Sequence, residues 1–134
     1  MSYYLGVDMG TSSIKATVID EQANILFTRR IPVHLINPAE GFYEMDPLKT
    51  WWQGFCTVCA DLKAEVEISA VNAVCVSSVC GSFVPVDHKF NPLYNAILYG
   101  IDTRAQQQVN FLNEKYGEEY LQEHLGGLLN THSV

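Results

Sequence analysis

The chain has 134 residues, of which 48% are hydrophobic and 17% are charged. This length corresponds to one domain or part of one, and the composition excludes a disordered chain, a collagen-like repeat and a coiled coil. Eight Lys and Arg residues against fifteen Asp and Glu residues give a net charge of −7. Nucleic acids and anionic membranes recruit basic surfaces, so this charge argues against both as partners. A small phosphate ligand is compatible with it, since backbone N–H groups bind phosphate without basic side chains.

The sequence predicts neither a membrane span nor an export signal. No apolar run approaches the roughly 18 residues that a membrane span needs. The N-terminal segment MSYYLGVD lacks a basic region and carries Asp8 inside its apolar stretch, unlike a signal peptide. We therefore expect the protein in the cytoplasm.

The first quarter of the chain predicts three strands joined by tight turns. Residues 3 to 8 form a short apolar run, and residues 13 to 20 alternate polar and apolar side chains at the period of a strand. Residues 9 to 12 and 20 to 24 supply the turns, and residues 25 to 33 return as a third strand. Such short connections predict an antiparallel meander.

The middle of the chain predicts a helix followed by two strands. Asp46 suits the N-cap of this helix and Pro47 its first position, and the helix runs to about Val66. A fourth strand over residues 71 to 77 follows this helical crossover and should therefore lie parallel to a strand of the meander. A fifth strand is predicted over residues 83 to 87.

The last third predicts two helices, one from Thr103 onward and one from Gly117 to about Leu125, closed by a pair of glycines. The predicted order is β-β-β-α-β-β-α-α. Three hairpin-connected strands, a helix and a parallel strand form an α/β layer typical of the ribonuclease H-like fold. The residues up to Val134 supply no closing element, so we expect the chain to be part of a larger domain.

The four cysteines have the spacing C-x2-C-x15-C-x4-C, which is close to that of a zinc ribbon. However, Cys56 and Cys59 lie in the predicted helix, whereas a zinc ribbon needs its first pair on a tight turn. Cys75 lies in the predicted fourth strand, which the pattern indicates is buried. Free cysteines pack as small hydrophobic residues, so the sequence favours packing roles over a metal site.

The strongest chemical signal is the segment Asp8-Met9-Gly10-Thr11-Ser12 between the first two strands. Gly10 lets the backbone turn tightly and approach a ligand closely. Successive N–H groups in such a turn form a concave anion site, and the hydroxyls of Thr11 and Ser12 add donors. Asp8, at the end of its strand, is placed to hold a hydrated Mg²⁺ that bridges phosphate oxygens. Ordinary hairpin turns also have this pattern, so these residues alone leave both interpretations open.

Four segments resemble, in order and spacing, the motifs of the FGGY carbohydrate kinases, members of the actin/hexokinase/Hsp70 ATPase superfamily. LGVDMGTSSIKA (residues 5–16) resembles the family's first phosphate motif, and EGFYEMDP (40–47) with the following Trp pair resembles its "PGWxEQDP…WW" stretch. Residues 74–87 resemble its strand-loop-strand hairpin, and NAILYGIDTRA (95–105) resembles "xAILWxDxRA". Xylulose kinase-like and glycerol kinase-like enzymes are the nearest relatives by this resemblance. Residues 1–134 would then be the N-terminal part of the first of two ATPase-like domains.

The resemblance implies transfer of the γ-phosphoryl group of Mg-ATP to a hydroxyl of a sugar or polyol, with ATP and Mg²⁺ as cofactors. The implied ATP-phosphate site comprises four residues of the first turn, with Mg²⁺ held through water by the first of them: Asp8, Gly10, Thr11 and Ser12. The implied substrate site follows the fourth strand and the later motif: Cys80, Gly81, Tyr99, Asp102 and Arg104. Tyr99 matches a family tryptophan that packs on the carbon skeleton, while Asp102 and Arg104 either bind hydroxyls or brace the loop.

Two features depart from the family pattern. Cys80-Gly81-Ser82 stands where xylulose kinase-like members have Met-His-Gly and glycerol kinase-like members have Arg-Glu-Thr, so neither substrate carries over. Gly81 predicts a roomier pocket or selection by other residues, and a packing role is favoured for Cys80. Family members are also several times longer. Their general base, an Asp, and their adenine site are expected beyond Val134, so no catalytic residue is assigned here and the chain alone is expected to be inactive.

Two alternatives remain open from the sequence. A ribonuclease H-like metal-dependent nuclease would share the fold but needs two or three further carboxylates beside Asp8, and Asp87 is the one well-placed candidate. A non-catalytic fragment would instead bind a partner chain, either a second copy of itself or a missing C-terminal half. An exposed apolar surface would favour this second alternative.

Overall fold

The computed structural model describes residues 1–131. In chain order its elements are β1 (Tyr3–Met9), β2 (Ser13–Ile19), β3 (Ile25–Pro32), β4 (Glu44–Met45), α1 (Gln53–Glu65), β5 (Val71–Ser78), β6 (Ala96–Ile97) and α2 (Gln106–Leu125). We expected that the residues up to Val134 supply no closing element, and Val134 lies outside the described residues. The mixed order of strands and helices confirms the predicted α/β class.

The main sheet has four strands in the order β3-β2-β1-β5. β1 and β2 pair antiparallel, as do β2 and β3, which confirms the meander. β5 returns after helix α1 and lies parallel to β1. This confirms the predicted crossover, because a parallel neighbour requires a long connection rather than a hairpin.

The long helix begins as the sequence predicts. The carboxylate of Asp46 accepts hydrogen bonds from the N–H groups of Leu48 and Lys49, both at 3.0 Å, and Pro47 occupies the first helical position, where it removes no needed donor. Residues 47–52 form a wide π-helical turn before the regular helix α1. The helix ends one residue before Val66, which has extended backbone angles.

Helix α1 packs over β2 and β3 on one face of the sheet. Gly54 lies so close to this face that a Cβ atom there would overlap the Cδ1 atom of Ile14. The main core lies between helix and sheet and consists of nine buried apolar residues: Leu5, Val7, Met9, Ile14, Ala16, Val18, Phe27, Val58 and Leu62. Trp51 packs against both this core and a smaller one formed by Met45, Ala96 and Leu98.

Strand β5 lies at the edge of the sheet and is exposed, so the predicted burial of this strand is wrong. Val74 and Val76 point to the same face as the core but are 51% and 54% exposed, because α1 covers the other half of that face. Trp52 is 62% exposed and helps to line an open apolar depression with Val76. An apolar run of residues indicates a buried strand only when both faces are covered.

The predicted fifth strand over residues 83 to 87 is also wrong. Only two isolated bridges form there, from Phe83 to Ile97 and from Val86 to Pro92. Pro85 between them has no N–H to donate to a ladder. β6 pairs with β4, which contains only two residues and gave no periodic signal in the sequence.

The two predicted C-terminal helices are confirmed as the two segments of α2. Gly117 interrupts the helix with φ 76° and ψ 159°, a conformation that no helical residue adopts. Gly126 closes the second segment with φ 80°, as a left-handed C-cap. Among the described residues, no helix combines the length and the apolar character needed to cross a bilayer.

Candidate functional site

The parallel pairing of β1 and β5 brings two of the predicted site segments to the same end of the sheet. Asp8 lies opposite Ser77 in this register, and Met9 lies opposite Ser78. The turn at residues 10–12 and the loop that leads to Gly81 therefore leave the sheet side by side, at the carboxyl ends of both strands. Ligands bind in open α/β sheets at the carboxyl ends of the strands.

The turn between β1 and β2 requires glycine at position 10. The N–H of Gly10 donates to the carbonyl of Ser13 at 3.1 Å, and a Cβ atom at position 10 would lie 2.9 Å from that same oxygen. The carbonyl of Ser12 accepts from the N–H of Val33 at 3.0 Å, which ties the turn to the end of β3. Among residues 1–131, no group accepts the N–H of Thr11 or Ser12. Two amides and two hydroxyls of the turn thus remain as donors for an anion.

The sequence left open whether Lys15 faces this site or the solvent, and the structure places it beside Asp8. It lies opposite Asp8 in the hairpin, and its Nζ is 3.0 Å from Asp8 Oδ2. Both side chains are about half exposed, and they border an open depression of about 400 Å³ together with Thr17 and Ser77. The pairing register carried a usable signal, because directly opposed residues of a hairpin share one face of the sheet.

The donor set around Asp8 fits a hydrated Mg²⁺. In the part of the chain that the structure describes, no three His, Cys, Asp or Glu side chains come together as a metal site. A protein cage for zinc is therefore absent there. Mg²⁺ differs because it keeps several waters and binds through one or two carboxylates plus substrate phosphates, and the half-exposed Asp8 beside an open depression offers that arrangement.

The cysteines are more exposed than predicted. Cys56, Cys75 and Cys80 are exposed, and only Cys59 is partly buried. Burial, with a smaller contribution from the neighbouring Cys56, raises the pKa of the Cys59 thiol and keeps it protonated. The packing role predicted for Cys75 and Cys80 is therefore wrong, since one lies on the uncovered edge strand and the other in a surface loop.

A second cavity of about 230 Å³ lies between the loop after β5, the turn after β6 and the start of α2. Four of the five residues assigned to the substrate line it: Gly81, Tyr99, Asp102 and Arg104. Cys80 does not line this cavity. Its walls are otherwise mostly apolar, with Phe83 and Leu98 among them.

Gly81 and Tyr99 form one wall of the cavity by direct contact. Gly81 has φ 77°, and a Cβ atom on it would lie 2.5 Å from the ring of Tyr99. The N–H of Tyr99 donates to the hydroxyl of Ser82 at 3.1 Å, which holds the two segments together. The aromatic ring therefore packs directly on the peptide backbone at position 81, with no room for a side chain there.

Asp102 is buried, and both of its carboxylate oxygens accept hydrogen bonds from the protein. Oδ2 accepts from the N–H of Tyr43 at 2.8 Å, and Oδ1 accepts from the N–H of Arg104 at 3.1 Å. The guanidinium of Arg104 adds bonds from Nε and Nη2 at 2.8–3.0 Å. Asp102 thereby braces the loop that carries Tyr99 and connects it to the segment before β4.

The guanidinium of Arg104 also contacts Glu44, which is 1% exposed. Its Nη2 donates to Glu44 Oε1 at 2.8 Å, and Glu44 accepts two further bonds at 2.9 Å from Tyr94 Oη and Asn95 Nδ2. The ring of Phe42 lies 4.2 Å from the guanidinium carbon, within range of a cation–π contact. Glu44, Asp102 and Arg104 form a buried ion-pair cluster, which we call the acidic cluster.

All three members of the acidic cluster are ionised at neutral pH. Burial raises the pKa of Glu44, but hydrogen bonds from Asn95, Arg104 and Tyr94 outweigh it and leave this pKa below its ordinary value. The pKa of Asp102 is lowered in the same way, with burial opposed mainly by the hydrogen bond from Arg104. The hydrogen bond to Asp102 raises the pKa of Arg104 still further.

The nuclease alternative needs several carboxylates beside Asp8, and the described residues form no such group there. Asp87, its one candidate, caps its own turn, since Oδ1 accepts from the N–H groups of Lys89 and Asn91 at 2.7 and 2.9 Å. Two-metal hydrolysis needs several carboxylates that converge on one place. Residues 1–131 contain no such group.

Comparison with known proteins agrees with the fold and with the motifs. Residues 3–133 match the family model described as the FGGY family of carbohydrate kinases, N-terminal domain. The chain is 29% identical to a xylulose kinase of Lactococcus lactis over 124 residues, which cover 91% of the chain and 24% of that relative. It is 31% identical to a glycerol kinase of Verminephrobacter eiseniae over 134 residues, which cover 98% of the chain and 26% of that relative.

Solved structures give the same result. The xylulose kinase from Rhodospirillum rubrum matches 95% of the chain and 26% of its own, with a TM-score of 0.80 and 25% identity. The Plasmodium falciparum glycerol kinase with ADP matches 98% of the chain and 27% of its own, also with a TM-score of 0.80 and 25% identity. The chain thus spans about a quarter of the length of the relatives that it matches.

Proposed function

Because the chain belongs to the FGGY family of carbohydrate kinases, we propose that it forms the phosphate-binding part of an ATP-dependent kinase for a small sugar or polyol. The observation that carries this proposal is that both segments lie at the same end of the sheet, beside the carboxyl ends of β1 and β5. The turn with free amide donors and the loop with the apolar cavity leave adjacent ends of β1 and β5. A phosphate donor and a hydroxyl acceptor need this proximity, since phosphoryl transfer depends mainly on positioning and charge neutralisation.

In this proposal the first turn binds the phosphates of ATP. Thr11 and Ser12 donate to phosphate oxygens, while Gly10 permits close approach and uses its own N–H to hold the turn. Asp8 holds Mg²⁺ through water, and the metal neutralises charge on the transferring group. Lys15, paired with Asp8 at 3.0 Å, adds a positive charge within reach of the same phosphates.

The substrate occupies the cavity formed by Gly81, Tyr99 and their neighbours. The ring of Tyr99 packs on the carbon skeleton of the substrate. Because Gly81 has no side chain, its backbone can lie directly against this ring. Cys80 lies in the same loop but outside this cavity, so its place in the substrate site rests on the family resemblance alone. Asp102 and Arg104 shape the polar end of the cavity through the acidic cluster. Xylulose, glycerol and gluconate, named for the structural relatives, represent the range of substrates to test.

The reaction also needs a group that accepts the proton of the attacking hydroxyl. We propose that this base and the adenine site lie in a further part of the protein, because the relatives are about four times longer than this chain. The 134-residue chain would then bind ligands weakly and transfer no phosphate. The protein expressed from its complete coding sequence, in the cytoplasm, would carry the activity.

The first test replaces the carboxylate of the turn. In the protein expressed from its complete coding sequence, Asp8→Ala is expected to lower kcat at least about a hundredfold, because charge on the transferring phosphate loses its counterion. The KM for the sugar should stay nearly unchanged. Glu21→Ala removes a carboxylate from an exposed turn and serves as the control. Unchanged turnover in Asp8→Ala would contradict the assignment of Asp8.

A second candidate role is that of a fragment that binds a partner chain. The exposed apolar side chains of Val74, Val76 and Trp52 favour it, and the occupant we propose is a C-terminal half of the same kinase rather than a second copy. Sedimentation of the 134-residue chain distinguishes these cases. A monomer that takes up the separately expressed C-terminal half supports the proposal, whereas a stable homodimer contradicts it.

A further inference from the structure

The segment that follows α2 returns to the substrate cavity. Residues 128–131 belong to no helix or strand, and the left-handed C-cap at Gly126 turns the chain back after the helix. Asn130 and Thr131 then line the cavity beside the loop after β5 and the turn after β6. Part of the cavity wall therefore comes from a segment that has no regular structure to hold it in place.

The side chain of Asn113, in the first part of α2, holds this segment. Its Oδ1 accepts a hydrogen bond from the N–H of Leu129, and its Nδ2 donates to the carbonyl of the same residue, both at 2.9 Å. Both bonds are partly buried. A carboxamide carries an acceptor and a donor on one planar group, so it satisfies both backbone groups of Leu129 at once. We call these two bonds the Asn113 clamp.

The Asn113 clamp lies one helical turn from the cavity. Val109 lines the cavity, and Asn113 follows it by four positions, which places both side chains on the same face of α2. On the other side of the clamp, Leu129 directly precedes the two lining residues Asn130 and Thr131. The clamp thus fixes the backbone immediately beside the cavity wall.

Thr131 brings a hydroxyl group to this wall, and a hydroxyl both donates and accepts hydrogen bonds. The charged side chains of the wall, Asp102 and Arg104, bond to each other at 2.8–3.0 Å. Breaking these buried bonds to contact a ligand would leave a charge without its partner. A neutral wall residue outside the acidic cluster is therefore better suited to contact a hydroxyl of the substrate.

We propose that Asn113 is a positioning residue for the substrate, because its clamp on Leu129 holds Thr131 in the cavity wall, where the Thr131 hydroxyl bonds to a hydroxyl group of the substrate. This inference rests on the proposed function, since it takes the cavity to be the acceptor site. Asn113 is not among the described residues that line the cavity, so it acts through the segment that it holds. Loss of the clamp weakens substrate binding and leaves the phosphate turn intact.

The test separates binding from turnover in the protein expressed from its complete coding sequence. The substrate is whichever of xylulose, glycerol and gluconate the parent protein phosphorylates fastest with Mg-ATP. Asn113→Leu keeps the branched shape of the side chain but removes both bonds, and it should raise the KM for this substrate about five- to tenfold, the effect of about one lost hydrogen bond. The kcat and the KM for ATP should change less than about twofold, since only binding of the substrate is affected.

Asn110→Leu is the matched control. It removes the same group from an exposed position of α2, where Asn110 accepts a hydrogen bond from Gln106 on the same helix, and it should leave all three constants unchanged. A folded Asn113→Leu variant with an unchanged KM for the substrate would overturn the positioning role. Equal losses of kcat and of both KM values would overturn it too, because they would indicate a general loss of structure.

Thr131→Val tests the contact itself and does not depend on whether Asn113→Leu folds. It replaces the hydroxyl by a methyl group of the same shape and should raise the KM for the substrate several-fold. An unchanged KM would overturn the contact, and the proposed function would still stand if the parent protein is active. A parent protein that phosphorylates none of the three compounds, nor any of a panel of pentoses, hexoses and polyols, would instead refute the proposed function and the inference with it.

Discussion

Two ion-pair regions of this molecule have nearly the same geometry and very different surroundings. Lys15 and Asp8 meet at 3.0 Å on an open sheet face, where their side chains are 55% and 46% exposed. Arg104 meets Glu44 and Asp102 at 2.8 Å, where the carboxylate side chains are 2% and 6% exposed. By distance alone the two regions would be equally stable, but they differ in how much of each pair is exposed to solvent.

The difference indicates a division of labour between the two regions. An exposed pair is screened by water and contributes about 0–1 kcal/mol, so the exchange of Lys15 and Asp8 for phosphate and metal that we propose would cost little. Breaking a buried pair leaves an uncompensated charge and costs about 3–5 kcal/mol. We therefore expect the acidic cluster to hold a fixed shape, whereas the proposed function needs the pair at the turn to change its partners.

The sharpest way to break this comparison is to remove one cation from each region. Arg104→Met should lower the free energy of unfolding by about 3–5 kcal/mol, because two buried carboxylates lose their partner. Lys15→Met should lower it by less than about 1 kcal/mol. Urea unfolding of both variants and the parent chain measures the difference. Equal losses would show that burial does not distinguish the two regions.

The second prediction concerns the wall formed by Gly81 and Tyr99. Gly81→Ala combines an unfavourable positive φ with a clash against the ring of Tyr99, whereas Gly100→Ala, at φ 82°, has the same backbone strain and no atom within 4 Å. The first variant should therefore be less stable than the second by about 1–2 kcal/mol. Thermal unfolding measures this. A matching loss in both variants would mean that Tyr99 moves away freely.

The smallest expected effect is the dependence of stability on acid. The pKa values of Glu44 and Asp102 are lowered from 4.5 and 3.8 in the folded chain, so their ionised forms stabilise the fold above those ordinary values. This stability is lost as the pH falls through the lowered pKa values. Unfolding free energies measured from pH 7 to pH 3 should fall less steeply in Asp102→Asn than in the parent. An identical slope would exclude Asp102 as a contributor.

Local patterns in the sequence predicted most of the fold. The meander, the parallel fourth strand and the Asp46-Pro47 helix start all follow from alternation, short turns and capping chemistry, which act within a few residues. The prediction of a strand over residues 83–87 was wrong for a reason that is also local, since Pro85 interrupts the ladder. The predicted burial of Val74 and Cys75 was wrong because burial depends on what covers a strand. The strand's own sequence does not contain that information.

The two parts of the site differ in the same way. The first turn could be predicted because Asp8 through Ser12 are contiguous, and the opposing position of Lys15 follows from the hairpin register. The acidic cluster could not, because Glu44 and Arg104 are separated by 60 positions and meet only through the pairing of two short strands. No periodicity or spacing connects residues that far apart.

The close contact between Gly54 and Ile14 has a mechanical consequence. Ile14 is the second residue of β2 after the turn, and the absence of a side chain at position 54 lets α1 pack directly on it. Since packed interiors have low compressibility, we expect a shift of Ile14 toward the helix to move the helix with it. Helix α1 has 13 residues, about 20 Å at the usual rise. A displacement that begins at Gly54, the second residue of the helix, would therefore reach residues about that far from the turn.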